Sequence, residues 1–138
     1  MDYFRMTAPC GIDCFNCPLY LASDDDKLRS NVAKMLNVSA EQAVCVGCRN
    51  ENGTIACLNM NEPCQVYKCI QEKDIKFCYE CTDFPCDHLH PYADKAGERP
   101  HNTKVFNLCL IKKMGLESWA QSKAKKVRSV YFSEKFKL

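Results

Sequence analysis

Several of the residues that usually announce an enzyme are scarce in this chain of 138 residues: glycine occurs 5 times, histidine 3 times and tryptophan once. No glycine-rich run has the spacing of a phosphate-cradling loop, no Gly-x-Ser-x-Gly elbow is present, and there is no His-Glu-x-x-His pair. Long apolar runs are missing too, and none approaches the ~20 residues that a membrane-spanning helix needs. The opening stretch, Met1 to Pro9, lacks a basic region followed by an apolar segment. No secretory leader is read there, and a reducing cytosol with no membrane association is the expected location.

What the chain has in excess is cysteine, 12 in all. The 46% hydrophobic content counts these cysteines, so it overstates the residues available for a core. Small domains with thin cores are held together by disulfides, metals or oligomerisation. In a reducing compartment structural disulfides are rare. The spacing also favours metal, because three Cys-x-x-Cys pairs occur: Cys14 with Cys17, Cys45 with Cys48, and Cys78 with Cys81. Two cysteines three positions apart aim both sulfurs at one ion across a tight turn.

Ten cysteines fall into two sets along the chain, Cys10, Cys14, Cys17, Cys45 and Cys48, then Cys64, Cys69, Cys78, Cys81 and Cys86. A closed tetrahedral zinc site takes four ligands. The simplest partition gives one ion to Cys14, Cys17, Cys45 and Cys48. A second ion takes Cys78 and Cys81 with two of Cys64, Cys69 and Cys86. Two zinc ions per chain are therefore expected, and exchange of ligands between the sets stays open. An iron–sulfur cluster is the rival, since it also uses thiolates. The Cys10-x-x-x-Cys14-x-x-Cys17 spacing matches the cluster motif of radical enzymes that cleave S-adenosylmethionine, but this chain is too short for their barrel. Cys109 sits in an apolar helical stripe and reads as a buried small hydrophobe. Cys57 reads as an exposed cysteine without a role, with spare ligand or reactive thiol as alternatives. His88 and His90 follow Cys86 closely and read as solvated rather than as ligands, and His101 carries no signal.

The spacing of apolar residues predicts a small α-rich domain with little β-structure, in which cysteine-rich turns are joined by short helices and a helical segment follows. Leu28, Val32, Met35 and Leu36 recur at helical spacing within residues 19–37, and Asp24-Asp25-Asp26 marks a solvated helix start. Ser39 to Gln42 has capping-box spacing. Residues 49–63 read as a polar loop, 64–73 as a short helix turning Val66 and Ile70 inward, and 74–77 as a brief extended stretch. Residues 93–102 read as a linker. After it, Val105, Leu108, Cys109 and Ile111 form one stripe, Met114-Gly115 a break, and Trp119, Val127, Val130 and Tyr131 a second stripe.

Charge divides the chain in the same place. Residues 103–138 hold nine Lys/Arg against two Asp/Glu, whereas residues 1–102 hold ten against fifteen, and the two balances give the net +2. The organisation read here is a cysteine-rich metal-binding body, 1–102, with a basic amphipathic helical segment, 103–138, packed on it. Trp119, Tyr131, Phe132 and Phe136 among those lysines would suit stacking on single-stranded nucleic acid; an amphipathic helix on the body is the plainer account.

These motifs together are similar to a known family. Ala8-Pro9-Cys10-Gly11-x-x-Cys14-x-x-Cys17-Pro18-x-Tyr20, Cys45-x-Gly47-Cys48-Arg49, Cys64-x-x-x-x-Cys69 and Cys78-x-Glu80-Cys81-x-Asp83-Phe84-Pro85-Cys86 resemble successive elements of the cysteine-rich bacterial and archaeal family classed as domain of unknown function 3795. Asn107, Ile111 and Gly115-Leu116-Glu117-x-Trp119 resemble its helical ending. The resemblance implies zinc binding and no established activity. Family members often add a Cys-Pro-x-Cys-Gly element after the tryptophan, where this chain has Lys125-Lys126-Val127-Arg128.

No catalytic set is visible, and a surplus of thiols argues for closed sites rather than an open catalytic zinc. The expectation is a structural zinc-binding protein acting as a binding or regulatory module toward another protein. An iron–sulfur electron-transfer protein and a zinc-dependent nucleic-acid-binding protein are the alternatives.

Overall fold

The computed structural model of the chain describes residues 1–89 and 102–133. The expected linker, His90, His101 and Phe136 lie outside the described residues. Six α-helical elements follow one another: α1 (Pro18–Leu21), α2 (Asp26–Leu36), α3 (Gln65–Glu72), α4 (Thr103–Met114), α5 (Leu116–Trp119) and α6 (Lys125–Ser133). Short 3-10 turns at Cys14–Asn16, Ala56–Leu58, Cys78–Glu80 and Asp87–Leu89 carry or adjoin cysteines. Among the described residues no strand forms, and β-pairing is confined to an isolated bridge between Thr7 and Asp13. The small, helix-rich architecture is the one expected. No described helix is long and apolar enough to cross a membrane.

Residues 19–37 form two helices rather than one. Pro18 opens α1, as its fixed φ allows at the first helical turn. Arg29 then reaches back from α2 and donates to the carbonyls of Ala22 at 2.9 Å and Ser23 at 2.7 Å, satisfying acceptors that a continuous helix would have used. Asp25 caps α2 by accepting from Leu28 N at 2.9 Å, so the acidic run does mark a helix start. The stripe turns Val32 and Ala33 inward, with Leu28 and Leu36 partly buried, and leaves Met35 69% exposed. Ser39 and Gln42 exchange the two reciprocal bonds of a capping box, at 3.1 and 3.3 Å. In the 74–77 stretch Asp74 has φ +49, a left-handed turn residue that closes α3 rather than extended chain.

The core is divided into three small clusters. One joins Val66 and Ile70 of α3 to Phe77, Cys78, Leu89 and Leu108. A second joins Ala22, Val32, Ala33 and Ala43. The third seats Trp119 with Ile111, Ala120 and Ala124 against Tyr3 and Phe15. The helical ending is a nearly continuous rod after Gly115, interrupted by a π-helical turn at Ala120–Ala124. Its inward face is Trp119, Ala120 and Ala124, whereas Val130 is 45% exposed.

Cys109 is exposed, which corrects its reading as a buried hydrophobe. The reason is polar: α4 turns Asn107, Leu108 and Ile111 inward, and Asn107 takes a buried place because it has two partners there. Its Nδ2 donates to Gly11 O at 2.9 Å, and its Oδ1 accepts from Trp119 Nε1 at 3.3 Å. Gly11 is required for this approach: its φ is +88, and a Cβ there would stand 2.8 Å from Lys104 O. Beside it, Arg128 Nη1 donates to Asp13 Oδ1 at 2.6 Å, with side-chain exposures of 18% and 3%. The first cysteine turn is thus held by residues near the end of the described chain.

Candidate metal centre

The cysteine turns are built by short-range geometry. In each of Cys14–Asn16 and Cys78–Glu80 a 3-10 turn starts at the first cysteine of a Cys-x-x-Cys pair, and the second cysteine's N–H closes it on the first's carbonyl, at 2.8 and 3.1 Å. Both sulfurs of a pair are then carried by one tight turn, as a shared ion requires.

Around the second pair, Cys69 from α3 joins Cys78, Cys81 and Cys86 in lining one cavity of about 20 Å³, with Val66, Ile70, Ile75, Phe84 and His88 completing the wall. Space of that size holds one water-sized body. Of the three candidates offered by spacing, Cys69 and Cys86 therefore join Cys78 and Cys81, and Cys64 does not. Burial pushes the Cys78 thiol up to about 12, and charge on Cys10, Cys86, Cys69 and Cys81 adds to the rise. Outside the cavity, Lys73 Nζ donates to Cys81 Sγ at 3.0 Å and to Asp83 Oδ2 at 2.7 Å, while Asp83 N donates to the same sulfur at 3.4 Å. Those hydrogen bonds hold the Lys73 proton tightly and draw the Asp83 carboxyl below its ordinary range. A sulfur that accepts from an ammonium and an amide is placed as a thiolate would be.

The remaining gathered cysteines lie in the first half of the chain. Burial raises Cys14, whose nearest charged neighbours are Cys48, Cys45 and Cys17. Cys45 is pushed up to about 12, first by burial, with Cys57, Glu51 and Cys17 adding to it. Cys48 rises to about 12 by burial, with Cys10 and Cys64 adding and Arg49 opposing. The chain's first thiol, Cys10, is raised by burial against the lowering field of Lys104. Arg49 lies between the rings of Phe4 and Phe77, 4.1 and 4.8 Å from their centroids, and donates to Thr7 O at 2.7 Å and Lys76 O at 2.6 Å. It pins the Cys45–Cys48 turn between the Cys10 turn and the Cys78 turn.

Cys57 is 3% exposed and its thiol shares a hydrogen bond with Cys45, which corrects its reading as an exposed cysteine without a role. No spacing signal marked it, because its partner is twelve residues away and belongs to another pair. The polar loop carries it inward: Glu51 accepts from Val46 N at 3.0 Å and from Ala56 N at 2.8 Å, folding the loop back on the Cys45 turn.

Among the described residues, no three His, Cys, Asp or Glu side chains stand in the arrangement of a formed metal site. What the fold supplies is proximity and donor chemistry. The donors are almost all sulfur, which suits a thiophilic ion such as zinc or an iron–sulfur cluster and not a hard cation. All 12 cysteines are free thiols, and Cys109 alone is exposed. His88 is the one described histidine at the cavity wall, and it is exposed.

No curated protein and no solved structure matches the chain. A family model does match, over residues 6–91, so the matched span holds every cysteine from Cys10 to Cys86 and stops before α4. More than half of the chain is covered, and the protein belongs to the family described as Protein of unknown function (DUF3795).

Proposed function

We propose that the protein is a zinc-held binding module, in which thiolate-bound metal supplies the folding free energy that three small apolar clusters cannot. The observation that carries this reading is the convergence of Cys69, Cys78, Cys81 and Cys86 on one cavity of single-atom scale. Four thiolates close a tetrahedral site and leave no open position for substrate, which supports a structural rather than a catalytic ion. The basic face formed by exposed Lys112, Lys113, Lys123, Lys125 and Lys126 is then the surface offered to an acidic partner protein. Two residues speak against the single-stranded nucleic-acid alternative: Trp119 is fully buried and Arg128 is engaged with Asp13.

The test is elemental analysis of protein purified without added metal and without air, followed by chelation. Zinc without iron is expected, and its removal should abolish the cooperative melting transition, since structural zinc sites contribute on the order of 10 kcal/mol to folding. Iron with acid-labile sulfide would replace this reading with electron transfer. A metal-free chain with an unchanged melting temperature would end it.

A further inference from the structure

We propose that the seven cysteines between residues 10 and 64 hold two ions that share the Cys14 thiolate, so that the chain binds three ions rather than the two its spacing suggests. This rests on the zinc-held reading above and goes beyond it in stoichiometry and in the role given to Cys14.

Two triplets carry the argument. The first is Cys17, Cys45 and Cys57. Cys57 is hydrogen-bonded to Cys45, and charge on Cys17 raises both. Glu51 fastens this triplet by accepting from the residue after Cys45 and the residue before Cys57. The second is Cys10, Cys48 and Cys64. Gly53 fastens it: its N–H donates to Cys48 O at 2.7 Å and its carbonyl accepts from Cys64 N at 3.0 Å. Cys10 and Cys64 pack on the same apolar cluster, and Arg49 ties the Cys48 turn to Thr7, three residues before Cys10.

Cys14 lies between the triplets. Its sulfur is 3.6 Å from the place a Cβ on Gly47 would occupy, in the middle of the turn that gives Cys45 to one triplet and Cys48 to the other. The charges it feels come from both, Cys48 and Cys10 on one side and Cys45 and Cys17 on the other. Two tetrahedral ions need eight sulfur contacts, and seven cysteines supply eight only when one sulfur is shared. A thiolate has lone pairs for two ions. With the Cys69–Cys86 group, every cysteine except exposed Cys109 is then a ligand.

Native mass spectrometry of the full chain, reconstituted with zinc under anaerobic conditions, counts the ions directly. Three are expected. Two in the parent chain overturn the inference and leave the zinc-held module standing; none overturns both. Cys57→Ser and Cys64→Ser should each lower the count by one, and Cys14→Ser by two. Loss of one ion in Cys14→Ser overturns the sharing. A second measurement needs no variant: the parent chain loaded with spin-active cadmium should give two mutually coupled metal resonances and one single line, and three uncoupled lines overturn the sharing.

Discussion

The cysteine-rich body and the helical ending solve the same problem of a small chain by different means. In the body, helices are short, the longest being α2 at 11 residues, and the segments between them are held by turns, buried thiols and Arg49. In the ending, α4 runs 12 residues, α5 and α6 continue it after Gly115, and Trp119, Leu108 and Ile111 are almost wholly removed from water. The body gathers eleven thiols, whereas the ending keeps one and leaves it exposed. Where large apolar side chains supply the burial, sulfur is dispensable; where alanines and turns make up the interior, sulfur is concentrated.

The strongest way to break that comparison is to remove the ending's anchor. Trp119→Ala should cost about 3–5 kcal/mol in chemical denaturation, because it empties a fully buried site and leaves the Asn107 carbonyl oxygen without its donor. A cost near zero would mean that the ending contributes nothing to the fold. Arg128→Ala tests the joint between the two regions. It strands a carboxylate that is 3% exposed, and should lower stability by about 2–3 kcal/mol, less than a fully buried pair because Arg128 retains 18% exposure. The smallest effect is expected at Cys109→Ser, within about 0.5 kcal/mol. In the metal-loaded protein the same change should remove the one thiol that reacts rapidly with a water-soluble disulfide reagent; persistence of that fast phase would show that a body thiol is also accessible.

What was legible in the sequence was local. The inward pair Val66 and Ile70, the capping box of Ser39 and Gln42, and the break at Gly115 each depend on neighbours within four residues. The Cys-x-x-Cys turns were legible for the same reason. What was not legible came from contacts between distant segments. Cys57 is drawn in by Glu51 and meets Cys45, and no motif announces a cysteine without a close partner. Cys109 was misplaced because apolar periodicity favoured it, while the buried position belongs to a polar residue whose partners, Gly11 and Trp119, lie on other elements. The choice of Cys69 and Cys86 over Cys64 followed from the packing of α3, which faces one cysteine to the cavity and puts the other before its first turn.

The ion pair between Asp13 and Arg128 joins positions 115 apart, whereas Cys69 and Cys86 close their cavity within one short stretch. The cost of bringing chain ends together rises with the length of the intervening loop. On a chain emerging from synthesis, the cavity around α3 can therefore be complete while the first cysteine turn still lacks its counter-charge. Its final fastening waits for the last helix, so the oldest part of the nascent chain is the last to be locked.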